Sequence, residues 1–479
     1  MLIKQSSNCW LENTALKHPE RKAIISENYR ITYKKLLENV KTTASNLYQI
    51  GIRKKDNVSI LIGNSKIFPE LINAIWFLGA TPVPISTRLN KNEIEDQLKI
   101  VKSKFLIIEN NFKANLKPPK NIKTIKCNAL KSSIKIKPHS LKFNSKSNSV
   151  ILFTSGSTQK PKAVVHTFKN MYESCKMLDR EIKFNKNNIW LASLPFYHIG
   201  GFMIFVRSLL SATTLAIPKN KEALSKSIKI YNPTYISIVS TQLKKLLDEN
   251  SEVNKNLNNV FLGGGPLEIK LCRNAVLKGF PITKIFGSTE TCSMISILKP
   301  EMFDKKPMSS GKILIGVAVK IVDKNGNILK NKIGELKIKS KTMFRCYFNN
   351  PKVNYSNKFF YTNDVGWIDP DGYLFIDSRK DDIIISGGEN ISAVEVEQKI
   401  KNLTAVKDAF VFGLKDEKWG ELVAAIVSLK INISEDDLRN KLKNNISSYK
   451  IPKKILFIKS IPKNEMGKIN KTEIIKLFT

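Results

Sequence analysis

At 479 residues the chain exceeds what one hydrophobic core organises, so two or more domains are expected, and an apolar fraction of 42% excludes a polytopic membrane protein. The formal charge of +38, from 79 basic and 41 acidic residues, raises a polyanion-binding reading, yet only ten of the basic residues are arginine. Arginine is the side chain suited to base readout and bidentate phosphate contact, so the charge reads as a lysine-biased solvated surface without a specific nucleic-acid partner.

In chain order, the first thirteen residues, MLIKQSSNCWLEN, carry neither the apolar core of a signal peptide nor the pattern of a transit peptide. Residues 33–47 have helical spacing closed by Gly51, 57–63 read as a buried strand, 68–78 as an amphipathic helix, and 79–85 as another strand. This alternation predicts parallel sheets flanked by helices. Residues 114–147, rich in Lys, Asn, Ser and Pro, read as a surface connection. Residues 151–153 read as a strand, and a helix is expected from Val164. Residues 200–218 are apolar, but Arg207 near their middle makes membrane insertion costly and predicts a buried helix. From 311 to 378 short strands separated by Gly and Asn turns suggest an antiparallel or barrel-like portion. A mixed pattern follows: helix 393–402, strands 406–412 and 422–429, helix 434–446 and strand 453–458. The fold class read from this is α/β. A large N-terminal domain of flanked sheets with a small barrel-like portion spans 1–380, and a small mobile α+β C-terminal domain spans 381–479. The six cysteines, at 9, 127, 175, 272, 292 and 346, form no CxxC pair, and the four histidines are scattered, which argues against a zinc site or a disulfide framework.

Between the 151–153 strand and Val164 runs Thr154-Ser-Gly-Ser-Thr-Gln-Lys-Pro-Lys162. Hydroxyls, a permissive Gly156 and two lysines suit a polyphosphate, and a strand-to-helix loop adds a helix N-terminus. No Walker string occurs. Taken alone, this is also the composition of a common polar turn.

With its flanks, the string resembles the phosphate loop of the adenylate-forming superfamily of acyl-CoA synthetases, adenylation domains and luciferases; Gln159 and Ala163 stand where that family has glycines. Further motifs occur in the family's order. Gly263-Gly264-Gly265-Pro266 follows an expected strand, and the resemblance implies an adenine beside Gly264, Gly265 and Pro266. Phe286-Gly287-Ser-Thr289-Glu290 resembles Y-G-x-T-E, which implies that Phe286 and Gly287 line the adenine, Thr289 contacts the α-phosphate and Glu290 holds Mg²⁺. Thr362-Asn-Asp364-Val-Gly366 resembles T-G-D-x-G, with Asp364 on the ribose hydroxyls. The 377–381 segment resembles G-R-x-D with Ser378 for Gly, placing Arg379 on ribose or phosphate and Asp381 at a hinge. Gly387-Gly388 match the glycine loop of the coenzyme A channel, and Lys468 matches the mobile catalytic lysine. In the loop itself Thr154, Ser155, Gly156, Ser157, Thr158 and Lys162 take ATP by the same match. Any one of these pieces could be a turn or a surface charge, whereas their common order covers nearly the whole chain.

The implied activity is ATP-dependent acid–CoA ligation through an acyl-adenylate, with Mg²⁺ as cofactor and ATP, CoA and a small carboxylic acid as partners. The strings 161–167, 194–210, 263–266 and 288–293 resemble those of the o-succinylbenzoate–CoA ligases of menaquinone and phylloquinone biosynthesis. His198 is then implied at the mouth of the acyl pocket, as a catalytic or a structural histidine. Arg207, in an apolar helix, needs an anion: either the distal carboxylate of the acid or an internal Asp or Glu. Another aryl or medium-chain acid–CoA ligase shares every adenylation motif, and a lysine-rich polyanion-binding protein explains none of them. A cytoplasmic enzyme is expected, or a stromal one if plastid-encoded. Oligomeric state is not legible.

Overall fold

The computed structural model describes every residue except 1, 3–8, 111–120, 131–143, 155–160, 221, 266, 349–354, 357–358, 387–388, 417–418, 444, 447, 465–468, 470 and 479. The chain forms two compact units. The first comprises Met1–Pro307, Ile313–Val317 and Ser340–Val353; the second comprises Met308–Lys312, Ala318–Lys339 and Asn354–Thr479. A cut at 380 divides the chain by motif, whereas these units divide it by packing, and most of the 311–378 strands pack with the C-terminal residues.

Three sheets build the first unit. The strands Thr81–Pro84, Asn57–Leu61, Phe105–Ile108 and Lys123–Lys126 pair in parallel in that order. The helix Tyr33–Ile50 stops where Gly51 takes φ +112°, a left-handed value that glycine adopts without a Cβ clash. The Lys123–Lys126 strand and the buried Cys127 and Leu130 beyond it correct the expectation of a plain connection over 114–147. The sequence KTIK hides an edge strand because only Ile125 turns inward while lysines face water.

A second, largely parallel sheet runs from Lys22–Ser26 through Thr214–Ala216, Ile189–Leu191, Tyr235–Ile238 and Asn259–Leu262 to Ile282–Ser288, with Ser293–Leu298 antiparallel beside the last. Trp190, Tyr235 and Phe261 stack within it, and Trp10, Trp76, Phe168, Phe202 and Phe205 form a second aromatic cluster of this unit. The apolar segment around Arg207 is the buried helix Ile199–Ser211, as expected.

The third sheet holds a correction with consequences for the site. Residues from Val164 do not start a helix. Lys162–Thr167 is a strand antiparallel to Asn148–Thr154, and the helix begins only at Phe168, after the N-cap Thr167. The β-branched run Val164-Val165 is buried between two strands, because Cys346–Tyr347 pairs on its other side. Residues 155–160 therefore connect two antiparallel strands, and the helix N-terminus invoked for phosphate is not at the end of this loop.

In the second unit, Val317–Val322, Gly334–Ser340, Phe359–Ile368, Tyr373–Arg379 and Gly311–Ile313 follow one another as the expected antiparallel portion. A further sheet of Glu389–Ser392, Ile383–Ser386, Gly420–Leu429 and Val406–Asp416, with Lys454–Phe457 parallel to Gly420–Leu429, packs against Ala393–Lys401 and Glu435–Lys443 around Val396, Ile400, Val411, Val427 and Leu438. All six cysteines are free. Among the described residues no helix is long and apolar enough to cross a membrane.

Candidate active site

In the first unit, strand register gathers the motif residues. Thr154 lies directly opposite Lys162, so the hairpin that bears residues 155–160 presents a hydroxyl and an ammonium side by side at its mouth. In the larger sheet, Gly263 packs so closely on the next strand that a Cβ there would meet Ile285 Cγ1 at 2.5 Å and its carbonyl oxygen at 2.8 Å. Gly264 has φ +92°, and a Cβ on Gly265 would meet nothing within 4 Å, which leaves open space over the turn. Gly287 is required for the opposite reason: its Cβ would sit 1.8 Å from the Ser293 carbonyl oxygen, across the bulged pairing of Ile282–Ser288 with Ser293–Leu298. Phe286 is half-buried at this bulge.

The turn carrying Thr289 and Glu290 is strained and tightly bonded. Cys292 and Ser293 both take left-handed φ, +57° and +84°, which non-glycine residues hold only when their surroundings fix them. Ser288 N donates to Thr291 Oγ1 at 2.8 Å, Thr291 Oγ1 donates to the Ser293 carbonyl at 2.7 Å, and Ser174 Oγ donates to the Cys292 carbonyl at 2.8 Å. His166, buried on the Lys162–Thr167 strand, has Nε2 2.7 Å from the Thr289 carbonyl oxygen. Burial pulls its pKa down to about 4, against the bond to Thr289 and the charge of Glu290, so near neutral pH it is an uncharged donor to that carbonyl. The phosphate hairpin and the Thr289–Glu290 turn are thus tied by a buried side chain.

Glu290 keeps a half-exposed carboxylate whose Oε1 accepts from Tyr347 Oη at 3.0 Å. Among the described residues no group of three or more His, Cys, Asp or Glu could hold a metal, so a cation at Glu290 would need oxygens from phosphate and water to complete its shell. That is the donor set magnesium accepts. Tyr347 escaped the sequence reading. Its strand is two residues long and its partner lies about 180 residues earlier, so only the motif-like RCYFNNP context could have flagged it.

His198 is the N-cap of the helix Ile199–Ser211 without a side-chain cap bond, and it contacts the Tyr197 ring at 4.9 Å. The turn before it is held by Asn64, whose Nδ2 donates to the Ala192 and Leu194 carbonyls and whose Oδ1 accepts from Phe196 N. Gly201 permits the packing, since a Cβ would lie 2.1 Å from the Pro195 carbonyl oxygen. Two turns on, Arg207 is 1% exposed, and its Nε and Nη2 have no hydrogen-bond partner among the described residues. The titratable groups that act on it are the thiols of Cys175 and Cys292, with the Trp190 ring 5.6 Å away, and burial lowers its pKa. Burial pushes the Cys175 thiol up to about 12 and raises Cys292 as well, so neither supplies a counter-charge. Of the two anions expected for Arg207, the internal Asp or Glu is not found among the described residues.

In the second unit Asp364 and Arg379 face each other across neighbouring strands, with Arg379 Nε 3.4 Å from Asp364 Oδ1. Asn363, where the resembled motif has glycine, takes φ +61°; asparagine is the residue that tolerates that region best after glycine. Gly366 cannot be replaced without a Cβ 2.1 Å from the Phe375 carbonyl oxygen. Ser378 is buried and donates to Asp377 Oδ2 at 3.0 Å. Asp381 lies in the 3₁₀ segment Lys380–Asp382, whose last residue pairs with Lys471. Ser155, Gly156, Ser157, Thr158, Gln159, Pro266, Gly387, Gly388 and Lys468 lie outside the described residues.

With this arrangement in view, residues 11–348 match the AMP-binding enzyme family and residues 395–468 its C-terminal domain. A 2-succinylbenzoate–CoA ligase of Bacillus subtilis is 31% identical, covering 99% of this chain and 98% of its own. Among solved structures, the o-succinylbenzoate CoA synthetase of Bacillus subtilis in complex with the acyl-adenylate intermediate OSB-AMP matches with a TM-score of 0.90 at 31% identity over 98% of each chain. The same synthetase in complex with ATP and magnesium ion matches at 0.90 and 31%, over 96% of this chain and 98% of that one. The chain belongs to the AMP-binding enzyme family, within its branch of 2-succinylbenzoate–CoA ligases.

Proposed function

We propose that the chain ligates o-succinylbenzoate to coenzyme A at the expense of ATP, in the cytosol, as the acid-activating step of menaquinone biosynthesis. The acid's carboxylate oxygen attacks the α-phosphorus of ATP and pyrophosphate leaves, giving a mixed anhydride. The thiol sulfur of coenzyme A then attacks the acyl carbon, AMP leaves, and the thiol proton passes to solvent. Magnesium, when bound at Glu290, supplies charge neutralisation on the phosphate oxygens. Thr154 and Lys162 hold the leaving phosphates, and Thr289 contacts the α-phosphate. Phe286, Gly264 and Gly265 border the adenine, while Asp364 and Arg379 take the ribose. Lys468 bridges carboxylate and α-phosphate during adenylation; rotation at Asp381 then withdraws it and brings Gly387 and Gly388 to the coenzyme A channel. His198 borders the acyl pocket.

The observation that carries the substrate is Arg207. A fully buried guanidinium with no carboxylate partner among the described residues sets a positive potential in the helix that follows His198. In a low-dielectric interior that potential favours an acid with a second carboxylate over a simple aryl or fatty acid. The test is thioester formation with ATP, Mg²⁺ and coenzyme A across a panel of acids. o-Succinylbenzoate should be used far better than benzoate, cinnamate or octanoate, and equal or better turnover of a monoacid would remove the substrate while leaving the ligase class. Single-turnover assays test the alternation: Lys468→Ala should abolish pyrophosphate release yet still transfer preformed acyl-adenylate to coenzyme A, and Asp381→Pro should do the reverse.

A further inference from the structure

Tyr347 touches two of the groups that an ATP site needs. Its hydroxyl donates to Glu290 Oε1 at 3.0 Å, and its ring centroid lies 5.5 Å from Lys162 Nζ. Backbone pairing fixes it there. Tyr347 lies opposite Val164 and Cys346 opposite Val165, while Arg345 N and Phe348 N donate to the Val165 and Ala163 carbonyls at 2.8 Å. Phe344 N donates to the Glu290 carbonyl at 2.8 Å, and the Phe344 ring packs on Tyr347 at 4.8 Å. Its backbone therefore belongs with the strand that carries Lys162, and its side chain ends on the carboxylate of a different hairpin.

An ammonium and a carboxylate that share a small site gain by closing on each other whenever the ligand is absent, and the resulting ion pair blocks both. Lys162 and Glu290 form no such pair among the described residues; one faces the ring of Tyr347 and the other accepts from its hydroxyl. We propose that Tyr347 is a positioning residue that keeps Lys162 and Glu290 apart, holding the lysine for phosphate and the carboxylate for magnesium. A cation over a π face is weakly held and exchanges for a phosphate oxygen, whereas the hydroxyl can stay on Oε1 while Oε2, which accepts no hydrogen bond among the described residues, meets the metal. The inference rests on the adenylation reading above.

Binding of ATP to the full-length chain without acid, so that no turnover occurs, separates the two ideas. Calorimetry is run in EDTA and across a magnesium series, with thermal midpoints recorded for every variant. Failure of the unmodified chain to bind ATP with magnesium would overturn the adenylation reading itself. Given that binding, Tyr347→Phe keeps the ring and loses the hydroxyl. It should raise the half-saturating magnesium concentration about tenfold, the scale of one hydrogen bond to a charged group, and leave metal-free ATP affinity within about twofold. Tyr347→Leu removes the ring as well and should weaken metal-free ATP binding about tenfold, because Lys162 closes on Glu290. Adding Glu290→Gln to it should restore that affinity. Unchanged magnesium dependence in Tyr347→Phe overturns the proposal, as does a metal-free deficit in Tyr347→Leu that persists in the double variant. If Tyr347→Leu fails to fold, the Phe variant decides.

Discussion

Two cations drawn in from solvent, a half-buried one in the second unit and a buried one in the first, are accommodated in opposite ways. Lys401, on the helix Ala393–Lys401, sits 2.7 Å from Glu397 Oε1 and 3.2 Å from Asp408 Oδ1, and Asp408 also takes Lys463. Burial alone lowers Lys401, but the two carboxylates outweigh it and its pKa moves up, while Asp408 moves down despite its own burial. Arg207, more deeply buried, has neutral thiols and an indole ring beside it and no carboxylate partner among the described residues. A desolvated charge costs several kcal/mol unless paired, so the two sites carry opposite energetic terms. The paired lysine is held by its own unit, and the proposed function gives the arginine its anion in the substrate.

That contrast can be broken by making the same change at both positions. Arg207→Met should lower kcat/KM for o-succinylbenzoate roughly 100-fold, about 3 kcal/mol of transition-state discrimination, and change a monocarboxylic aryl acid by no more than about threefold. The thermal midpoint should hold or rise, because an apolar chain replaces an uncompensated charge. Equal losses on both acids, or a large drop in stability, would make Arg207 a structural residue. Lys401→Met should behave the other way. It leaves Glu397 without its cation and should cost roughly 2–3 kcal/mol in urea unfolding, discounted for the partial exposure of the group, with the acid preference unchanged. Adding Glu397→Gln should recover part of the loss. A Lys401 variant as stable as the parent would show the network to be screened by solvent.

The candidate site residues are legible because their types are constrained: a hydroxyl-rich loop ending in lysine, a carboxylate after Thr289, an acid–base pair at 364 and 379. What surrounds them was not. Val164 looked like a helix start because the strand that buries it, Cys346–Tyr347, is remote in sequence and too short to signal itself. Tyr347 was missed for the same reason, and so was the edge strand at 123–126, where alternation is carried by a single isoleucine. Asn363 looked like a departure from a glycine motif until its φ of +61° showed that the backbone requirement is kept and only the residue meeting it has changed. Arg207 was seen from sequence, but the absence of a carboxylate among its described neighbours depends on tertiary packing and appears only in the fold.

His166 sharpens the comparison as a third buried base, one that avoids the cost by giving up its proton. Its Nδ1 has no partner among the described residues and its Nε2 serves the Thr289 carbonyl. Burial takes the folded pKa from 6.5 to about 4. Between those values the unfolded chain binds more protons than the folded one, so stability rises with pH there. The contribution of the neutral histidine is fully present above about pH 6.5 and is lost as pH falls toward 4. At pH 5 the loss from this one group should be about 2 kcal/mol relative to pH 7.5. His166→Gln retains an amide donor for Thr289 and cannot titrate. Urea unfolding of parent and variant at both pH values should therefore show the parent losing about 2 kcal/mol more than the variant on acidification, with a difference under about 1 kcal/mol at pH 7.5. An equal acid response in both proteins would mean that His166 is protonated in the fold, and its ring would then stand with Lys401, as a cation that the fold itself must pair.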